Sequence, residues 1–232
     1  VEEVEPIPER KEEVQKPMKL TIIPVAHISA QSAQLVEETI VREDPDLIGL
    51  ELCRERLASL SKGARRGMDI RTAISHPTSA FLFLAQQALG KFWKINPGLE
   101  MVAALKAASV IGKPVALLDR PIRLTAREIE KIPLREKLGI LLWDGGIKNR
   151  KGIKIRDLMD EGVLAPLLSG MREKFPLSYK VLVESRNKYM LARLLAQNPA
   201  KAVLVVGAAH AGGIRELALK AEKPVKVEIV RY

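Results

Sequence analysis

Apolar positions along the chain fall into short continuous runs, separated by longer stretches where they recur at helical spacing. This alternation builds a parallel sheet with helices packed on its faces. Residues 19–25, 47–50, 114–118 and 202–206 are apolar enough to be strands covered on both sides, and a more mixed run over 225–230 suits a sheet edge. Between residues 29 and 45, Leu35, Val36, Thr39 and Ile40 share one helical face, with Ser29 placed to cap the helix and Pro45 to stop it. Further helices are expected over 98–111, over 125–138 with Thr125 as cap, within 155–171, from Pro176 onward as one long helix, and over 214–221. Val181, Glu184, Lys188, Leu191 and Leu195 outline one face of the long helix. The pattern predicts an α/β fold, a central, largely parallel or mixed sheet flanked by helices.

The ends of these runs carry the chemistry. Open α/β sheets bind ligands at the carboxyl ends of their strands, and here four strands deliver a polar side chain there: His27, Glu51, Asp119 and His210. Gly207, Gly212 and Gly213 around His210 let the backbone turn sharply. For each histidine the competing reading is a buried ring satisfied by hydrogen bonds; His76, before Pro77 in a turn-like stretch, reads as a surface residue. Glu51 is expected to be a metal ligand, a general base or an orienter of His27, against a structural salt bridge to Arg54 or Arg56. Arg56 either neutralises Glu51 or binds a substrate carboxylate through the bidentate geometry of its guanidinium. Glu100 lies in the first turn of its helix, where capping competes with catalysis. Arg120, Arg123 and Arg127 either hold a phosphate or carboxylate or form a network with Asp119.

At 232 residues and 47% hydrophobic content, the chain is long enough to bury one large core. A single domain is expected over 18–232, preceded by a charged, proline-containing tail over 1–17 and carrying a helical insertion over about 61–97 that lies across the carboxyl rim. The aromatic stripe of that insertion reads as packing surface. The formal charge of +10 raises nucleic acid as a partner, but the basic residues are scattered, the aromatics few and no recognition motif occurs, which disfavours it. The single cysteine, Cys53, allows neither an intrachain disulfide nor a thiolate metal cluster. No apolar run is long enough to span a bilayer, so the chain as given is expected to be soluble and cytoplasmic. It does not begin with Met, and a longer parent polypeptide is expected.

The order of short motifs resembles the TraB family, the TraB/PrgY pheromone-shutdown proteins, and more distantly the Tiki-type metalloprotease domains. The opening strand and Gly-x-x-His-x-Ser appear as Pro24, His27 and Ser29; Pro-Asp and Glu-Leu-x-x-x-Arg as Pro45, Asp46, Glu51, Leu52 and Arg56. Gly98, Glu100 and Met101 come next, then Asp119, Arg120, Pro121, Ile122, Thr125 and Arg127, and finally Gly207, His210, Gly213 and Ile214. The resemblance covers roughly residues 19–230. Two positions depart from the pattern: Pro24 replaces a glycine, and the segment that usually reads Asp-Glu-Arg-Asp is Glu184, Ser185, Arg186 and Asn187. The resemblance implies Arg186 as a site residue in register and Gly207 and Gly213 as supporting glycines, and it implies that some relatives continue into a transmembrane region.

Histidine nitrogens and carboxylates suit a divalent ion such as Zn or Mn. The leading expectation is a metal-dependent hydrolase of a peptide or another acyl substrate, with His27, His210 and Glu51 on the metal, Glu51, Glu100 and Arg186 as catalytic groups, and Arg56, Arg120 and Arg127 on the substrate. Asp119, Gly207 and Gly213 support them. No His-Glu-x-x-His helix and no Gly-x-Ser-x-Gly elbow occurs. Two alternatives stay open: a metal-free hydrolase using the same histidines with carboxylates, and a non-enzymatic peptide-binding or regulatory protein, which the departures at Pro24 and Ser185 favour. The apolar insertion and long helices also suit a homodimer.

Overall fold

The computed structural model describes residues 16–25, 30–61, 98–143 and 161–231. Within them the protein is α/β, a five-stranded, all-parallel sheet flanked by helices. The strands are β1 (Met18–Val25), β2 (Leu47–Leu50), β3 (Val115–Leu117), β4 (Lys201–Gly207) and β5 (Val225–Ile229), in the order β3-β2-β4-β1-β5. The helices are α1 (Ala30–Glu43), α2 (Arg54–Ser61), α3 (Leu99–Val110), α4 (Ile122–Glu130), α5 (Leu134–Leu142), α6 (Glu161–Lys174), α7 (Pro176–Tyr179), α8 (Ser185–Ala196) and α9 (Ala208–Leu219). His27, Ser29 and His76, most of the tail and nearly all of the expected insertion lie outside the described residues.

Period-two alternation sorts the strand side chains onto two cores. Leu20 and Ile22 of β1, with Ala202, Leu204 and Val206 of β4, pack under α8 and α9 beside Met190, Leu194 and Ile214. Ile23 and Val25, with Val203 and Val205, face Val36, Ile40, Met101 and Ala104 of α1 and α3. Gly49 of β2 makes room for this packing, since a β-carbon there would meet the side chains of Leu118 and Leu204. Pro24 ends a hydrogen-bond ladder. Met18 donates its amide to Pro224 and Ile22 accepts from Val230, so alternate residues of β1 face β5; Pro24, next in that series, has no N–H to offer.

The connections explain where a crevice forms. β1 and β2 lead into helices on one face of the sheet, whereas β4, inserted between them, leads into α9 on the other. Adjacent strands whose connections diverge leave a gap at their carboxyl ends. Among the described residues no helix is long and apolar enough to cross a membrane.

Four local expectations are corrected. The 114–118 run is a three-residue edge strand, only half-buried, because β3 has a single neighbour, β2. The basic helix expected over 125–138 is two helices, broken at Pro133, with the first beginning after Pro121 so that Thr125 is interior and not a cap. The last helix starts at Ala208, not Ile214, so Gly212 and Gly213 lie inside it. Finally, the long helix after Pro176 contains a π-type turn, Lys180–Glu184, between α7 and α8. Such a turn takes in an extra residue and rotates the remainder of the helix by about 100°. The buried set is accordingly Val183, Asn187, Met190, Leu191 and Leu194, while Glu184 and Lys188 pair on the outside.

Candidate functional site

Three strand ends and one helix converge at the carboxyl rim. Glu51 stands directly after β2, Asp119 two residues beyond β3, and His210 in the first turn of α9 immediately after β4. Arg186 and Asn187 come from the first turn of α8, just past the π-type turn. π-type turns recur at functional sites because they re-aim the side chains beyond them.

Arg186 is the hub. Its Nε and Nη2 donate to Asp119 Oδ1 and Oδ2, both at 2.9 Å, and Nη2 also donates to Glu51 Oε1 at 2.5 Å. Nη1 has the longer contacts, 3.3 Å to the Leu182 carbonyl and 3.2 Å to His210 Nε2. Burial works against the guanidinium's charge, but Glu51 and Asp119 outweigh it and raise its pKa. Asp119, nearly inaccessible, also accepts the amide of Arg120 at 2.8 Å.

Both oxygens of Glu51 are engaged. Oε2 accepts the amide of Gly207 at 2.6 Å, so this carboxylate caps the amino end of α9 from a neighbouring strand. Gly207 permits the approach, because a β-carbon there would lie 3.2 Å from that oxygen. Burial pushes the Glu51 carboxyl up, but the charges of His210 and Arg186, with hydrogen bonds from His210 and Gly207, hold it well below the usual carboxylate range. A carboxylate so fully paired is a poor proton acceptor. It is suited to orienting its partners.

His210 is held from both sides. Asn187 Oδ1 lies 2.6 Å from Nδ1, so that nitrogen carries a proton whether the ring is charged or neutral, and Nε2 faces Glu51 Oε1 at 3.3 Å and Arg186 Nη1. Asn187 fits because Gly213 lacks a side chain: a β-carbon there would overlap the Asn187 amide nitrogen. Sequence reasoning gave Asn187 no role. The signal available was its place beside Arg186 in the segment that aligns with Glu-Arg-Asp.

The remaining expected site residues are spread out. Arg56 reaches toward the cluster, its Nη1 3.4 Å from Asp119 Oδ2. Arg120 turns its guanidinium away to make a two-pronged pair with Glu128 at 2.7 and 2.8 Å, while Arg123 is exposed and Arg127 is exposed. Glu100 is fully buried between α3 and α1 and accepts the Ser32 hydroxyl at 2.7 Å. Of the three expected metal ligands the described residues include two, Glu51 and His210, and the Arg186 guanidinium lies against the facing atoms of both. A divalent ion bridging them would sit beside that fixed positive charge. Among the described residues no group of three or more His, Cys, Asp or Glu is arranged to hold an ion, and the third expected ligand, His27, lies outside them.

The model of the TraB/PrgY/gumN family matches residues 147–229, a span that includes Arg186, Asn187, Gly207, His210 and Gly213. A curated protein of Methanocaldococcus jannaschii, Uncharacterized protein MJ1365, is 30% identical over 221 residues, covering 90% of this chain and 55% of its own length. The chain thus spans about half the length of that relative. The family match supports the TraB family for this chain.

Proposed function

We propose that the chain, as a TraB-family protein, hydrolyses a peptide or another acyl bond at the carboxyl rim of its sheet, through acid–base chemistry of His210 and charge stabilisation by Arg186. The observation that carries this reading is the two-sided hold on His210, with Nδ1 against Asn187 and Nε2 against Arg186 and Glu51. With the Nδ1 proton given to Asn187, Nε2 of the charged ring donates to Glu51, and in the neutral ring it keeps a lone pair that accepts from Arg186 Nη1. An incoming carbonyl that takes Nη1, the edge of the guanidinium with the longest contacts, releases Nε2 to take a proton from water. The same Nη1 then faces the oxyanion that develops as water attacks. Glu51 and Asp119 fix the guanidinium so that this donor edge is pre-aimed.

Turnover of fluorogenic peptides and nitrophenyl esters by the purified chain, with and without chelator, tests the reading. Turnover should survive chelation and fall by about 100-fold or more in His210→Ala. Hydrolysis undiminished by that change would sink it. Loss on chelation with recovery in Zn or Mn, together with metal binding that weakens in H27A, H210A and E51A, would restore the metal-dependent expectation in its place.

The non-enzymatic reading has one observation in its favour: Asn187 is neutral, so no carboxylate on Nδ1 stabilises the charged ring that proton transfer creates. Peptide binding without turnover would decide for it.

A further inference from the structure

We propose that Arg56 selects the substrate, capturing a carboxylate carried by the molecule whose scissile carbonyl reaches Arg186 and His210. This deepens the hydrolytic reading above and rests on it.

The other charged groups of the cluster are committed. Glu51 uses both oxygens, Asp119 accepts three hydrogen bonds, and Arg186 spends Nε and Nη2 on those carboxylates. Arg120 belongs to Glu128. Arg56 differs in three ways. Its contact with Asp119 is 3.4 Å, longer than an ordinary charge-assisted hydrogen bond, and Asp119 is already paired without it. Its side chain is 43% exposed, so packing does not require it. It also stands in the first turn of α2 with Arg54, against one acid, Glu55, where the positive end of a helix disfavours cations. Fold stability accounts for none of these features.

Ligand capture accounts for all of them. One edge of the guanidinium rests near a buried carboxylate that fixes its direction, and among the described residues its other donors take part in no hydrogen bond or ion pair shown for them, the arrangement that grips a carboxylate with two parallel hydrogen bonds. Arg56 and Arg186 contact the same oxygen of Asp119, so a carboxylate on Arg56 is held beside the guanidinium that faces the reacting carbonyl. An anion between them also relieves the repulsion of two neighbouring cations. The chemistry specifies a carboxylate and leaves two sources, the free carboxyl terminus of a peptide or an acidic side chain next to the scissile bond.

Three probes separate these sources: an N-acetylated apolar dipeptide as the free acid, the same peptide as its C-terminal amide, and an amide carrying an Asp side chain. Calorimetric binding and KM are measured for each with wild type, Arg56→Ala and Arg56→Lys. Wild type should prefer one of the two carboxylate probes over the apolar amide by about tenfold or more. Arg56→Ala should bring that ratio toward one, and Arg56→Lys should recover part of it, since a point charge replaces the fork. Equal treatment of all three probes by wild type, absence of binding to any of them, or a preference that persists in Arg56→Ala would overturn the proposal. Carboxylate binding through Arg56 without cleavage would sink the hydrolase reading and leave this one standing; cleavage indifferent to the carboxylate would do the reverse.

Discussion

Two arginines, one in the loop after β3 and one on α8, make the same two-pronged bond to a carboxylate with opposite consequences. Arg120, in the loop before α4, faces Glu128 within that helix, on a surface where Glu128 is about one-third exposed. Arg186 grips Asp119 where only 2% of the acid's side chain is accessible, and adds Glu51 and His210 to the same network. Water can replace the first bond when it breaks. It cannot readily replace the second, so each charge there depends on the others being present.

The sharpest break of this contrast is Arg186→Met, which strands Glu51 and Asp119 as buried acids. We expect a loss of about 3–5 kcal/mol of stability in urea unfolding, and a loss near zero would show that the network is open to water. Next, Gly213→Ala pushes a methyl group into the Asn187 amide that holds His210. The expected cost is about 1–3 kcal/mol, with a shift in the His210 ring resonances that a purely distant effect would not produce.

The pH dependence separates the two regions without disturbing packing. Because the folded state holds the Glu51 carboxyl well below its usual value, its contribution is fully present above the unfolded pKa of about 4.3 and is lost as pH falls through the depressed folded value. Glu51→Gln should therefore flatten the acid limb of stability against pH. An unchanged limb would assign the acid sensitivity elsewhere. The smallest effect belongs to Arg120→Ala, about 0–1 kcal/mol for a partly exposed pair screened by solvent and salt; a loss as large as that of Arg186→Met would erase the distinction.

Much of this site was legible as a set of strand ends. The runs ending at Glu51, Asp119 and His210 required only that apolar residues be continuous and that a polar one come next, and those three do meet at one rim. Arg186 came from motif resemblance alone, since nothing local distinguishes it from Arg193 on the same helix. Asn187 was missed, and the face of its helix was misassigned, because helical spacing extrapolated through Lys180–Glu184 does not include a π-type turn. The break at Pro133, by contrast, was present in the sequence: a residue before proline avoids helical geometry.

The sequence by itself determined the class of fold and the rim on which polar groups gather, because strand burial and strand termination depend on runs of neighbouring residues. Tertiary structure decided which of those groups touch. Residues as far apart as Glu51, Asp119, Arg186 and His210 meet only because β4 inserts between β1 and β2 and α8 lies across that end of the sheet. It also set their chemistry: Glu51, whose position in the sequence left metal ligand, general base, orienter and salt-bridge partner open, is a fully paired carboxylate once Arg186 and the Gly207 amide close on it. Partners so distant in the chain are chosen by packing and charge compensation in three dimensions, which no local pattern encodes.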